Sequence, residues 1–329
     1  MKRKLILDVD TGSDDACAIM LAALHNDLDL VAVCSVSGNV PLENTTENTL
    51  RVLQHIGKTN IPVYKGCSGP MIKDVSSSYR VAADTRAKVV VDGKEIGIHQ
   101  DYLPLEQSRF SYQATPASVF YVDYLTKCQQ KVDIVAVGPL TNLAVALLIE
   151  PRIVDNINEI VIMGGGHSIS NETRCAEFNI FYDPEAAQRV LKCGAKITMV
   201  PLDATHKAYV NYEDARRLRE LNTNAAKFAA DMIEHRIEFH KLRQPLEDVN
   251  SCALHDPLAV AYLIDPTVLK DVQLLNVEVS LGGLTDGQTV VDRRYFQDNR
   301  NVHFAFDGDR KKFVDIMCDA FKYKNTQPW

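Results

Sequence analysis

Near the N-terminus, Leu5-Ile6-Leu7-Asp8-Val9-Asp10-Thr11-Gly12-Ser13-Asp14-Asp15 places four carboxylates within eight residues, directly after a short apolar run. Acids this close repel one another and raise their own pKa values unless a cation holds them, and their hard oxygens suit Ca2+ or Mg2+. The pattern predicts a metal site. A purely structural reading has Asp14 or Asp15 capping the next helix and Asp8 bracing the loop. That reading explains single acids but not all four together.

Such a cluster needs a scaffold, and the hydrophobic pattern supplies one. Short runs rich in Val, Ile and Leu at Leu5–Asp10, Leu30–Ser37, Val132–Val137, Glu159–Met163 and Lys196–Leu202 read as buried parallel strands. Helical patterns lie between them, at Asp15–Asn26, Glu43–Ile56, Pro116–Cys128 and Asp183–Cys193. This alternation predicts an α/β fold with a doubly wound, mostly parallel central sheet and flanking helices. The acids then fall at the carboxyl edge of the first strand, where open α/β sheets bind ligands. Beyond Leu202 the pattern is mostly helical, with Tyr212–Leu221 and a long polar helix from Asn224 to about Arg243, so residues from about 203 to 250 read as a helical cap. Strand-like pieces return at Val272–Ser280, Gln288–Asp292 and Val302–Phe306, before an amphipathic helix near Asp309–Tyr323. Gly69–Pro104, with Ser76-Ser77-Ser78, reads as loop with some strand. No Pro/Gly/Ser-rich linker divides the chain and no internal repeat is visible, so residues 1–329 are expected to form a single domain.

Composition narrows the function. The 329 residues are 46% apolar and 24% charged, in the range of globular proteins. A net charge of −7 argues against nucleic acid or anionic membranes as main partners. The longest apolar stretches, such as that around Ile157–Met163, fall far short of the roughly 20 residues that span a bilayer. Met1-Lys2-Arg3-Lys4 is followed by too short an apolar run for a signal peptide, so the start reads as mature protein. The eight cysteines form no CxxC pair, which suits reduced core thiols and a cytoplasmic address.

The acidic segment admits two family resemblances. Asp8-Val9-Asp10 fits the start of the haloacid-dehalogenase phosphatase signature DxDx(T/V), but Gly12 stands where that family has Thr or Val, and Asp14-Asp15 has no role in it. The fuller resemblance is to the nucleoside hydrolases of the inosine-uridine-preferring type, with their signature DxDPGxDD. Asp8, Asp10, Gly12, Asp14 and Asp15 match, and Thr11 replaces the Pro. Further motifs follow in order: Val36-Ser37-Gly38-Asn39 resembles VxGN, Val137-Gly138-Pro139-Leu140-Thr141-Asn142 carries GPLTN, and Met163-Gly164-Gly165-Gly166 is MGGG. Ala176-Glu177-Phe178-Asn179 is AEFN, and His255-Asp256-Pro257 is HDP. Any one of these is a weak signal. Six in the correct order are specific.

The resemblance implies Ca2+-dependent hydrolysis of the N-glycosidic bond of ribonucleosides, giving free base and ribose, in salvage of purines or pyrimidines. Asp10, Asp15, Asp256 and the carbonyl of Val137 would bind Ca2+ together with ribose hydroxyls and a water, which Asp10 would deprotonate for attack on C1′. Asp14, Asn39 and Asn179 would stabilise the electron-poor ring. Asn171 and Glu177 would hold the 5′-hydroxyl, and His255 would serve the leaving base. For Asn39 and Asn179 a turn or strand-end role is the plainer reading, as is a structural loop role for His255.

The base pocket departs from the family. His99 resembles a histidine of an IHGxxG stretch, but its glycines are missing in Ile98-His99-Gln100-Asp101-Tyr102. Where some members place two aromatics at i and i+4 on the long helix, this chain has Arg236 and His240, on one face that is expected to point away from the acidic cluster. A solvated charged helix is the alternative. A non-catalytic nucleoside or ribose binder would also keep the fold, and loss of Asp10 or Asp15 would favour it; both are present. The partners expected are a ribonucleoside and other copies of the chain, as a homodimer or homotetramer.

Overall fold

The computed structural model describes residues 2–75, 88–91, 94–294 and 299–323. The chain begins with β1 (Arg3–Val9), α1 (Ser13–Leu24), β2 (Leu28–Ser35), α2 (Leu42–His55) and β3 (Val63–Lys65). A small hairpin, β4 (Lys88–Val91) and β5 (Lys94–Gly97), precedes α3 (Ala117–Lys127), β6 (Val132–Ala136), α4 (Thr141–Ile149) and β7 (Ile157–Met163). Then come α5 (Phe178–Tyr182), α6 (Pro184–Leu191), β8 (Ile197–Val200), α7 (Leu202–Thr205), β9 (Val210–Asn211), α8 (Tyr212–Glu220) and α9 (Asn224–Arg243). The remainder is β10 (Ser251–Cys252), α10 (His255–Ile264), β11 (Leu269–Val279), β12 (Thr289–Asp292), β13 (Val302–Gly308) and α11 (Arg310–Phe321).

Nine strands form one sheet in the order β12-β11-β13-β8-β7-β6-β1-β2-β3. From β3 to β13 the neighbours pair in parallel, while β11 pairs antiparallel with both β13 and β12. The strand alternation in the sequence thus becomes a single-domain α/β sheet with helices on both faces. Period-2 geometry divides β1 between two cores. Leu5, Leu7 and Val9 pack with α1, α9, α10 and α11, whereas Ile6 packs with α3, α4 and α6 on the other face. Strands buried on both sides carry no regular polar alternation, which is why their runs are mostly apolar.

From β1 the chain builds outward to β2 and β3 in one direction, and later to β7 and β8 in the other, so β1 and β6 flank the topological switch point. The crevice opens at their carboxyl ends. There lie the β1–α1 turn with the acids and Val137 after β6.

Some boundaries differ from expectation. Helix α1 begins at Ser13, with Asp14 and Asp15 in its first turn, because Asp15 Oδ2 reaches back to accept the Gly12 N–H at 2.9 Å, the one half of a capping box that a glycine N-cap allows. Strand β3 and helices α4 and α10 are additions to the elements expected from the pattern. The first is only three residues long, and the two helices are apolar nearly all round, so they show no periodic polar face. The stretch Gly69–Pro104 contains the β4–β5 hairpin; Ser76-Ser77-Ser78 lie outside the described residues.

Candidate active site

Asp10, like Asp15, has no exposed surface. Its Oδ2 accepts the Asn39 backbone N–H at 2.7 Å, while Oδ1 is buried with no hydrogen-bond partner. Gly38 makes that approach possible: a Cβ there would lie 2.1 Å from Asp10 Oδ2, so any side chain would displace the carboxylate. Asp15 is tied down by backbone, its Oδ1 accepting from Asp10 N at 3.0 Å and its Oδ2 from Gly12 N and from Asn39 Nδ2 at 3.0 Å. Carboxylate oxygens of Asp14, Asp15 and Asp256 come within 4.8 Å of one another. Sequence positions 14 and 256 meet because α10 starts beside the start of α1 across the sheet face.

Burial, reinforced by the neighbouring carboxylates, raises Asp10 and Asp256 well above the ordinary carboxylate range. Asp15 is pushed up to about 6 by burial and then by Asp14, with the backbone hydrogen bonds from Gly12 and Asp10 opposing the rise. Four clustered acids and one orphaned oxygen form an electron-rich, hard-oxygen cradle, and this donor set fits a divalent cation.

Asp8 follows the plainer reading of the acidic segment. It points into the sheet's other core and accepts from Tyr121 Oη at 2.9 Å and from Asn142 Nδ2 at 3.1 Å. Burial pushes it up to about 7 against those two bonds. Asn142 also donates to Ser35 O and accepts from Cys67 N, so the GPLTN turn braces the floor of the site. At the next turn Thr11 Oγ1 bonds Thr49 Oγ1 at 2.7 Å, fixing the β1–α1 loop to α2.

A cavity of about 230 Å³ opens over this floor. Asp14, Asn39, Val137, Asn171, Glu177, Asn179, His255 and Asp256 are all in its wall, as are His99, Arg236 and His240. Several of these side chains also hold the fold together. Asn179 Nδ2 donates to Val137 O at 2.8 Å and to Met163 O at 3.2 Å, linking the ends of β6 and β7. Glu177 caps α5, accepting from Asn179 N and Ile180 N as well as Gly165 N, and burial pushes it up to about 7. Exposed Asn171 accepts the Phe178 N–H at 2.9 Å.

His255 Nδ1 lies 2.8 Å from Thr205 Oγ1. Burial, then the nearby Arg236 and the other histidines, hold its pKa well below the usual imidazole value, so the ring is neutral. His240 lies beside it, tilted by 35° at 6.3 Å between ring centroids, and is pushed down to about 3, chiefly by burial. His99 packs over Gly12, where its Nδ1 accepts the Ser13 N–H at 3.3 Å, and burial lowers it to about 4.

Two expectations about α9 need correction. The helix is no solvated lid at these positions, since Arg236 is 1% and His240 2% exposed. Nor does Arg236 face away from the acids: its Nη1 lies 2.9 Å from Asp14 Oδ1, because α9 packs against the start of α1. Residues the sequence did not single out also join the wall, including Phe239, Arg243 and Gln244. The signal was there: they follow Arg236 and His240 at spacings of three and four along the same helical face. Thr205 and Tyr121 left no comparable trace, because each is joined to its partner only by the tertiary fold.

Residues 5–315 match the family described as inosine-uridine preferring nucleoside hydrolase. Among curated relatives, the pyrimidine-specific ribonucleoside hydrolase RihA of Photobacterium profundum is 35% identical over 320 residues, covering 97% of this chain and 98% of the relative. The protein of the same name from Shewanella woodyi is 36% identical, covering 98% and 99%. Among solved structures, the purine-preferring ribonucleoside hydrolase from Gardnerella vaginalis superimposes with a TM-score of 0.83 at 31% identity, over 97% of this chain and 98% of that one. The phosphatase alternative is thereby set aside. With the signature acids gathered at the switch point beneath a cavity, and similarity running along nearly its whole length, the chain belongs to the inosine-uridine preferring nucleoside hydrolase family and is an enzyme that hydrolyses the N-glycosidic bond of ribonucleosides.

Proposed function

We propose that the cavity receives the ribonucleoside with its sugar over the acids, and that Asp10, Asp15, Asp256 and the Val137 carbonyl hold Ca2+ there. The observation that carries this reading is the orphaned Asp10 Oδ1 amid four buried carboxylates. When bound, such a cation orients a vicinal diol and makes a water easier to deprotonate. Asp10 has one oxygen pinned by Asn39 and the other free, a geometry suited to taking the proton of the attacking water as general base. Asp14, with Asn39 and Asn179, faces the ribose and stabilises the positive charge that develops at C1′. Glu177 and Asn171 take the 5′-hydroxyl. Their own hydrogen bonds to the backbone hold both acceptors in place.

His255 attends the leaving base. Kept neutral and fixed at Nδ1 by Thr205, it presents Nε2 to the departing base as a hydrogen-bond donor. His240 and His99 complete the base end, where recognition is by hydrogen bonding more than by stacking. Relatives are named for opposite base preferences, pyrimidine-specific and purine-preferring, so preference belongs to these side chains and not to the fold.

Residues from about 203 to 250 act as the helical cap over the sheet edge. The chain is assigned to the cytoplasm, in nucleoside salvage, as a homodimer or homotetramer. All eight cysteines are free, which suits a reducing compartment. No helix among the described residues is long and apolar enough to cross a membrane. Incubation with a panel of ribonucleosides and an assay of reducing sugar tests the reading: release of ribose from at least one of them is expected, and none from any would reject it.

A further inference from the structure

Arg236 is the largest fully buried side chain in the protein's described residues. Its Nη1 donates to Ser13 Oγ at 2.8 Å and to Asp14 Oδ1 at 2.9 Å, while Nε and Nη2 both donate to Ala253 O, at 3.2 and 3.1 Å. Ser13 and Asp14 open α1, which carries Asp15; Ala253 lies three residues before Asp256, at the approach to α10. One guanidinium therefore ties together the two chain segments that supply the acids. It is also a permanent positive charge set against four buried carboxylates, and a fork of donors that an ammonium group cannot reproduce.

An anchor alone does not need a charge. Buried ion pairs can commonly be replaced by apolar side chains without loss of stability, so a charge kept at this depth invites a role in the site's chemistry. Two consequences follow from its position. The Asp14 Oδ1 held by Arg236 is not free to turn to a cation, which leaves Asp14 a single oxygen, Oδ2, to offer to substrate or ion beside Asp15 and Asp256. The fixed charge also competes electrostatically with any divalent ion placed among the same carboxylates.

Resting on the calcium-dependent reading above, we infer that Arg236 is a positioning residue that reserves Asp14 for the ribose and sets the affinity of the acidic cluster for its cation. The two effects separate by substitution. R236K keeps the charge and loses the fork, whereas R236M loses both.

The test is calorimetric titration of Ca2+ into chelator-stripped protein, alongside kcat and KM for a nucleoside. R236M is expected to bind Ca2+ about tenfold or more tightly, as removal of one nearby partly screened charge requires, and to show a raised KM. R236K is expected to hold wild-type Ca2+ affinity with a raised KM. Should R236M fold poorly because Asp14 is left buried and unpaired, R236M/D14N removes both partners. In that double variant the net charge is restored, so Ca2+ affinity is expected to return to the wild-type value while KM stays high. Wild-type affinity in R236M, or a D14N variant that loses Ca2+ as severely as D256N, would overturn the inference while leaving calcium-dependent hydrolysis intact. A wild-type protein that hydrolyses nucleosides but takes up no Ca2+ would overturn both.

Discussion

Replacing Asp10 by Asn should make the cation-free protein more stable while nearly abolishing its activity. Asp10 is fully buried, one oxygen lacks a partner, and Asp15 and Asp14 lie close enough to raise its pKa after burial itself. Folding without a cation therefore forces an unfavourable charge into the site. Removing a buried, half-satisfied charge is worth about 1–3 kcal/mol, a shift of a few degrees in melting temperature for a chain of this length. The sign with pH follows from the raised pKa. At low pH the folded carboxyl is already protonated and the two proteins differ little; as pH rises towards the folded pKa and through it, the wild type loses stability and the D10N variant does not. Saturating Ca2+ should reverse the order, since binding at 100 times Kd stabilises by about 2.7 kcal/mol and D10N has lost a ligand. Hydrolysis should fall by more than the roughly 10²–10⁴ associated with a general base alone. Thermal melts in chelator and in Ca2+ across pH, with reducing-sugar assays on the same samples, provide the measurement. A D10N protein less stable than wild type in chelator, or one that keeps a tenth of the activity, would refute this reasoning.

His255→Ala should reduce kcat on inosine by about 10² or more and barely affect a nitrophenyl riboside, whose leaving group needs no help. Equal losses on both substrates would assign His255 to supporting Asp256. His240→Ala should change the ratio of kcat/KM between inosine and uridine, because a buried ring in the cavity wall next to His255 meets the base and not the sugar floor. An unchanged ratio would remove His240 from base recognition.

The first strand and its acids were legible because the information is local: Leu5 to Asp15 carries both the apolar run and the carboxylates. The place of the acids at the carboxyl edge of the first strand followed from the alternation of strands and helices, whereas the switch point itself depends on a strand order that the alternation does not give. Helices α4 and α10 were not legible, since their nearly uniform apolar character hides any periodicity, although α10 begins at the quoted His255-Asp256-Pro257 motif. Two of the acids also carry the structural duties that the plainer reading gave them, Asp15 at the start of α1 and Asp8 as a brace, but Asp8's partners Tyr121 and Asn142 are distant in the chain and spacing does not reveal them. The Arg236–Asp14 pair is the clearest case of hidden information. Its members are 222 residues apart, and helix periodicity could say that Arg236 and His240 share a face but not what that face meets. Burial of an arginine runs against its ordinary preference, so composition pointed to solvent.

The central claim is that the acidic floor binds a divalent cation on which nucleoside hydrolysis depends. The most direct measurement strips the protein with chelator, titrates Ca2+ back, and follows heat of binding and ribose release on the same preparation. The account predicts one site per chain, negligible activity before titration, and ribose release that rises in proportion to site occupancy, with both signals lost in D15N. Full activity in the stripped protein, or saturable Ca2+ binding that leaves the rate unchanged, would contradict it.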